Sequence, residues 1–406
     1  MHIVEIPSFF TPYGGEFCLE QAKTLRQRGH EVRILAVVQL SLKKDLCSYV
    51  SLPYRMTTYQ ENEIPILRSY MRGIPRCVRP NMRRWVRMVC RRFDAYVKEY
   101  GVPDVIHAHC MKWAGYAAMS ISKKYQVPYV VTEHLSLMDL QQEFGTAASP
   151  QIWQIECLKK AYQSADMVIP VAREIVFDTQ QYYGNAYRWK EISNVIDTVF
   201  FHPVERKAVE GRAAVVCCVA DFSFRKGYDI LFKAFAKCVD MAGDTWKMEL
   251  HIAGENTQSD ECRRMARDAS IEGAVVAYGK LDRSGIRSLL HRADLFVLAS
   301  RSEVQPLVVL EAMSTGLPVV ATTAVPQNER ITGACFVVER NDADAMAHQM
   351  YHVLKSCFIA PSHQEGGAVL SGKTISEKVN ELASAHKVGE QLETVLLDVC
   401  RHLSEK

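Results

Sequence analysis

The chain has 406 residues, of which 48% are hydrophobic and 23% charged, with a formal net charge of +3. That length exceeds one ordinary hydrophobic core and sets an expectation of two or three domains. The composition is that of globular proteins, and a whole-chain charge this small does not point to a partner.

Thirteen cysteines are scattered without a Cys-x-x-Cys pair. An odd count without framework spacing points to reduced thiols and a cytoplasmic location, and zinc-finger spacing is absent. The N-terminus "MHIVEIPSFF" lacks the layout of a signal peptide. No apolar run approaches the roughly 20 residues that a membrane span requires.

In chain order, "HIVEI" (2–6) reads as a buried strand, followed by the loop "PSFFTPYGG" and a helix from 16 to 28. Leu19, Ala22 and Leu25 recur there at helical spacing, and Gly29 sits where a C-cap belongs. "EVRILAVV" (31–38), "DVIHAH" (104–109), "PYVVTEH" (128–134) and "DMVIPVA" (166–172) are further strands. The pattern restarts after Asn194. "AAVVCCVA" (213–220) precedes a helix over 226–239, and short apolar runs follow at 247–254, 274–278, 294–300, 318–322 and 335–338. Strands alternating with helices imply parallel sheets covered on both faces. The expected architecture is α/β, with two doubly wound Rossmann-like domains, 1–196 and 213–385, joined by a linker at 197–212 and followed by a C-terminal helix over 386–406.

Ligands of such sheets bind at the carboxyl ends of strands, near the point where strand order reverses. Gly14, Gly15, His109, His134, Lys226 and Glu303 lie just past strand ends. The segment "SRSEVQPLVVLEAMSTGLPVVAT" (300–322) adds two acids to an apolar stretch. Pro306 suits the first position of a helix, which puts Glu303 in the loop above the sheet and Glu311 about one and a half turns into the helix. Apolar neighbours make Glu311 partly buried, and a buried carboxylate needs donors. These come either from the protein, as an Arg or backbone amides, or from a ligand, as ribose hydroxyls. Glu303 taken alone is a solvated loop acid. Beside helix N-terminal amides it belongs to an anion site.

The stretch "SEVQPLVVLEAMSTGLPVVAT" resembles the E-x7-E region of glycosyltransferase family 4, the retaining glycosyl transferases group 1 with the GT-B fold. The likeness continues in "TPYGGEFCLEQAKTLRQRGHEV", "DVIHAH", "VVTEH", "ISNVIDTVFFHP", "RKGYDILFKAFAK" and "YGKLDRSGIRSLLHRADLFVLAS". The resemblance implies that the two domains face a central cleft, with the C-terminal helix packing back toward the first domain, and that Glu303 contacts the transferred sugar and Glu311 the ribose. It implies that Gln305, Pro306 and Leu307 line the sugar-diphosphate pocket, and that Lys226 pairs with the diphosphate. Gly14 and Gly15 would let the backbone approach the reacting centre, with His109 near the sugar and acceptor and His134 in the same cleft. His107 and His109 alternate along one strand; one is expected to face the core, and His109, nearer the strand end, the cleft.

Two positions depart from the family pattern. Asp221 in "Ala220-Asp221-Phe222" stands where an arginine is usual, and Arg225 is the candidate replacement. "TAVPQNER" (323–330) replaces paired glycines followed by an acid. The pair Asp342 and Asp344 matches the DxD pattern of metal-dependent transferases, but Asp342 opens a helical stretch and reads as an N-cap. His30, after Gly29, packs or caps. Neither metal nor cofactor is expected.

Residues 68–93 carry nine arginines and no acid, with Trp85 and other apolar residues interleaved. They read either as a solvated basic face, which could bind a phosphorylated acceptor, or as a peripheral patch for anionic membrane with Trp85 at the interface. No nucleic-acid module is recognisable. The reading implied is a cytoplasmic retaining glycosyltransferase, peripheral at the inner face of the membrane. It would move a sugar from a nucleotide-sugar donor to a glycan or lipid-linked glycan acceptor. A nucleotide-sugar epimerase and a catalytically weak binding subunit are the alternatives.

Overall fold

The computed structural model describes residues 1–42, 46–53, 55–135, 152–205, 212–359 and 369–404. The chain divides into two compact units, one formed by 1–195 with the C-terminal segment from 385, the other by 196–384.

The first unit holds a seven-stranded sheet built from β1 (His2–Pro7), β2 (Glu31–Leu40), β3 (Thr57–Glu61), β4 (Ile64–Arg72), β5 (Val105–His109), β6 (Tyr129–Glu133) and β7 (Met167–Pro170). The spatial order is β3-β4-β2-β1-β5-β6-β7. All pairs are parallel except β3 with β4. Strand order therefore reverses between β1 and β5. One face is covered by the helices Glu16–Gln27 and Ala385–Ser404, which bury Leu19, Leu25, Val388 and Leu392 against Ile3, Ile34 and Val105. Arg28 and His30 both bond Glu393 of the C-terminal helix, which gives His30 a hydrogen-bond partner as well as a packing position. The other face is covered chiefly by the long helix Val78–Tyr100 and by Tyr116–Tyr125 and Ile152–Ser164.

β3 and β4 have no counterpart in the sequence reading. Arginines at 68 and 72 hide the strand pattern, and each is accommodated locally. The Arg68 guanidinium lies over the rings of Phe10 and Tyr59, and Arg72 donates to the carbonyls of Tyr49, Val50 and Leu52. The arginine-rich segment is thus strand up to Arg72 and helix from Val78. Met82, Trp85, Val89, Phe93 and Tyr96 recur at helical spacing on the buried face. Trp85 is 2% exposed and donates its indole N–H to the Val37 carbonyl at 2.8 Å. It packs in the core and is not available as an interfacial anchor, which corrects that part of the sequence reading.

The second unit carries a wholly parallel sheet of β8 (Ala214–Val219), β9 (Met248–Ala253), β10 (Val275–Ala277), β11 (Leu295–Leu298), β12 (Val319–Thr322) and β13 (Cys335–Val338). Its order is β10-β9-β8-β11-β12-β13, so the reversal falls between β8 and β11. Near-continuous Val, Ile and Leu runs suit strands buried on both faces. Part of the stretch read as a linker belongs to this core. Phe201 is buried and accepts a bond from Ser314 Oγ through its carbonyl, and Asp197 pairs with Arg283. Residues 206–211 of that stretch lie outside the described residues. Among the described residues, no helix is long and apolar enough to cross a membrane.

Candidate active site

Each reversal point gathers candidate side chains. In the second unit, the loop after β8 turns at Phe224–Lys226 and enters the helix Tyr228–Ala242 through Gly227. Gly227 has φ +66°, and a Cβ there would lie 2.1 Å from the Ala299 carbonyl oxygen. Only glycine lets the basic turn sit this close to the end of β11. Arg301 fixes the turn from the other side, with a two-pronged ion pair to Asp229 at 3.0 and 2.7 Å and a further bond to the Phe224 carbonyl. Sequence reasoning missed Arg301, because its partners are distant in the chain.

The turn delivers Lys226 to Glu303. Lys226 Nζ donates to Glu303 Oε1 at 2.5 Å, Ser300 Oγ donates to the same oxygen at 2.6 Å, and Arg225 reaches Oε2 at 3.5 Å. Glu303 is therefore an almost buried acid with three donors, not a solvated loop acid. Arg225, next to Lys226 in the chain, reaches the same acid. Asp221 is used elsewhere: its carboxylate accepts the Glu255 backbone N–H at 3.1 Å.

Gln305 and Pro306 are buried, while Leu307 is exposed at the first turn of the helix Leu307–Ser314. Pro306 is the N-cap and Leu307 the first helical residue, one position later than the sequence implied. Glu311 is only partly exposed, and its carboxylate makes no hydrogen bond or ion pair among the described residues. Burial pushes its pKa up to about 7, against a weaker opposing effect of Arg283. Protein donors of the kind that would make Glu311 purely structural are absent among the described residues.

In the first unit, Gly14 and Gly15 both have positive φ, and a Cβ on Gly15 would meet the Phe9 carbonyl oxygen at 2.3 Å. The loop they form leads into the helix Glu16–Gln27, whose Phe17 stacks on His134 with ring centroids 3.6 Å apart. Beneath lies a cluster that the sequence reading did not assemble. Glu5 pairs in register with His107 across β1 and β5. Its carboxylate accepts from His107 Nδ1 at 3.1 Å and from His109 Nε2 at 2.7 Å. His107 and His109, two residues apart on a strand, point the same way, and both are fully buried. The expectation that one faces the core and the other an open cleft is thereby corrected.

The half-buried ring is His134, whose Nε2 lies 3.4 Å from His109 Nδ1. The tautomers follow from the acceptors. Glu5 takes the Nε2–H of His109, leaving its Nδ1 bare. That nitrogen takes the Nε2–H of His134, so the lone pair of His134 is on Nδ1. The histidines hold the Glu5 pKa down to about 2, although burial opposes them. Burial and the neighbouring imidazole of His107 lower the pKa of His109, with Glu5 opposing. His134 is lowered further, first by burial and then by the other two imidazoles. Glu133 anchors the same strand end by accepting the backbone N–H groups of Met111, His134 and Leu135 and the Tyr162 hydroxyl.

The pair Asp342 and Asp344 is engaged in other work. Asp342 caps its helix through the Ala345 N–H at 2.8 Å, and Asp344 pairs with Lys237.

A family model described as "Glycosyltransferase Family 4" matches residues 14–200, and one described as "Glycosyl transferases group 1" matches 213–356. An alpha-monoglucosyldiacylglycerol synthase of Streptococcus pneumoniae is 24% identical over 74% of this chain and 67% of its own. The solved sucrose-phosphate synthase of Thermosynechococcus elongatus superposes with a TM-score of 0.74 at 19% identity, over 99% of this chain and 100% of that one. Anabaena HepE in complex with UDP superposes with a TM-score of 0.70 at 18% identity, over 98% and 100%. With its two halves matched in turn and both units doubly wound, this chain belongs to the group 1, family 4 glycosyltransferases and has the GT-B fold.

Proposed function

We propose that this glycosyltransferase moves a sugar from a nucleotide-diphosphate donor to a hydroxyl of a growing glycan or glycolipid, with retention of anomeric configuration. One observation carries the reading. At the strand-order reversal of the second unit, two basic residues converge on a nearly buried acid, Glu303, and a second acid in the helix that follows, Glu311, has no donor of its own among the described residues. Lys226 and Arg225 suit a diphosphate, Glu303 the sugar, and Glu311 a ribose diol. Donor binding of this type is supported by HepE, whose solved complexes hold UDP, UDP with glucose, and UDP-glucose. A glycolipid product is supported by the name of the pneumococcal relative. No side chain in this set is placed as an obvious nucleophile. Front-face attack, in which the departing phosphate oxygen takes the acceptor's proton, fits that arrangement. The diphosphate needs no metal for charge balance with Lys226 and Arg225 at hand.

The acceptor side of the reading rests on the first unit, where His134 and the glycine loop lie at the carboxyl end of the sheet and Glu5 holds the His134 ring through His109. Exposed arginines at 76, 79, 83, 87 and 91 add a basic face suited to an anionic acceptor or membrane surface.

The test is a thermal-shift panel of UDP-, GDP- and ADP-sugars, followed by turnover with and without acceptor. A ligand at a hundred times its Kd adds about 2.7 kcal/mol to stability. A stabilising donor that is turned over only with an acceptor, to a product of unchanged anomeric configuration, supports the proposal. Donor isomerised without acceptor would make the chain an epimerase, and tight donor binding without any turnover a binding subunit.

A further inference from the structure

The basic turn Phe224–Lys226 buries none of its own residues. Phe224 is 80% exposed. Apolar packing therefore does not fix where Lys226 and Arg225 stand. Polar contacts from another strand end do. Arg301, in the loop after β11, donates its backbone N–H to the Arg225 carbonyl at 2.8 Å. Its guanidinium donates to the Phe224 carbonyl and lies over the Phe224 ring, 4.0 Å from the centroid. Two successive carbonyls of the turn are thus held by one residue.

The same guanidinium grips two further elements. Nη1 and Nη2 donate to the two carboxylate oxygens of Asp229, in the first turn of the helix Tyr228–Ala242, at 3.0 and 2.7 Å. Nε donates to Asn341 Oδ1 at 2.8 Å, in the loop after β13. Arg301 therefore ties together the loops that follow β8, β11 and β13, and β8 and β11 flank the strand-order reversal. Four bonds from the five N–H groups of a planar fork leave the side chain little freedom. Its charge is already balanced. Burial opposes ionisation of Asp229, yet Arg301 brings the pKa of that acid below the ordinary carboxylate value. The Arg301 side chain is only 15% exposed, which suits a brace better than a ligand contact.

We propose that Arg301 is a positioning residue for the donor: through the turn it braces, it sets where Lys226 and Arg225 meet the diphosphate. The inference rests on the donor reading above and deepens it.

The experiment is calorimetry on the full chain with UDP, GDP and ADP and with their nucleosides, alongside a melting curve for each variant. Arg301→Gln is expected to raise the Kd of the best-bound diphosphate about tenfold or more, and that of its nucleoside less than about twofold. Asp229→Ala, which removes the acid that the fork grips, is expected to weaken the diphosphate as well. Arg301→Lys keeps the charge without the fork and is expected to recover little. In a Lys226→Ala, Arg225→Ala background, Arg301→Gln is expected to add less than about threefold, because the cations it places are gone.

The same loss in both backgrounds, full recovery in Arg301→Lys, or diphosphate binding that Asp229→Ala leaves unchanged or tightens makes Arg301 a direct phosphate contact and overturns the proposal. A lowered Tm with an unchanged diphosphate Kd overturns it too, leaving Arg301 a purely structural residue. If Arg301→Gln does not fold, Arg301→Lys and Asp229→Ala carry the same comparison. Diphosphate bound normally by the Lys226→Ala, Arg225→Ala protein rejects the donor reading and this inference with it. A loss in that protein beside an unchanged Arg301→Gln rejects the positioning role alone.

Discussion

Glu311→Gln is expected to stabilise the protein and weaken its ligand at once. In the ligand-free chain the carboxylate is partly buried without a donor among the described residues, and its pKa is raised from 4.5 to about 7. At about 1.4 kcal/mol per pKa unit, that rise corresponds to roughly 3 kcal/mol in favour of the protonated acid. Because the folded-state pKa is the higher one, this stability is fully present below the unfolded value of 4.5. It is lost as pH rises through about 7. The neutral amide of Gln escapes this loss but leaves its own polar group poorly satisfied, which costs about 1 kcal/mol. The variant should therefore be about 1–2 kcal/mol more stable than the wild type at pH 8, a gain of a few degrees in Tm, and no more stable at pH 5.

Nucleotide affinity moves the other way. A carboxylate accepting ribose hydroxyls contributes about 1.5–3 kcal/mol, so the variant's Kd for the preferred nucleoside diphosphate should rise tenfold or more. The assay is a set of melting curves from pH 5 to 8, with and without that ligand. A Gln variant that melts below the wild type at pH 8 while binding nucleotide normally would refute the reasoning and make Glu311 a structural acid.

Lys226→Ala should raise the Kd for nucleoside diphosphate by about ten- to a hundredfold, as expected for a charged contact, with less effect on the bare nucleoside; calorimetry with Arg225→Ala added tells whether Arg225 supplies the second cation. Glu5→Gln should lower acceptor turnover while nucleotide Kd stays constant, because the amide has one acceptor oxygen where the carboxylate offers one to each of His107 and His109. Since the Glu5 pKa is depressed to about 2, the wild type should also lose stability as pH falls from 4.5 toward 2, and the Gln variant should lack that part of the pH dependence. Arg83→Gln, Arg87→Gln and Arg91→Gln together should abolish co-sedimentation with anionic vesicles at low salt, each arginine being worth about 1 kcal/mol at such a surface; wild-type protein that stays in the supernatant would sink the membrane reading.

The doubly wound layout was legible because parallel strands buried on both faces are continuous apolar runs, and "DLFVLAS" or "AAVVCCVA" can hardly be anything else. The second unit's site was legible for the same reason: Lys226 and Glu303 follow strands directly, and order reversal brings strand ends together. The first unit was read less well. β4 carries Arg68 and Arg72, whose charges are accommodated by aromatic faces and carbonyls that no local pattern announces. Trp85 looked interfacial because its neighbours are arginines, yet helical spacing with Met82, Val89 and Phe93 would have put it inward. Glu5 was overlooked as one acid within "HIVEI". The available signal was that a charged residue in a fully buried strand needs partners, and the two alternate histidines of a neighbouring strand could supply them.

On the proposed donor chemistry, the Lys226–Glu303 pair would link nucleotide binding to the readiness of the acid. Without ligand, Lys226 spends its charge on Glu303, which also takes the Ser300 hydroxyl. A diphosphate drawing Lys226 away must break a 2.5 Å contact between two side chains that are 13% and 5% exposed, and it approaches a carboxylate of like charge. Both effects oppose nucleotide binding. On the same reading, Glu303 would be released toward the sugar only when a diphosphate has replaced it on Lys226. Glu303→Gln removes the repulsion and frees Lys226 at once. This variant should therefore bind the nucleoside diphosphate about fivefold or more tightly than the wild type, a change on the order of 1 kcal/mol, while sugar transfer falls by orders of magnitude. Calorimetry against the diphosphate, alongside turnover of the intact donor, checks both halves. A Gln variant that binds nucleotide more weakly than the wild type would mean that Glu303 positions Lys226 and does not compete for it.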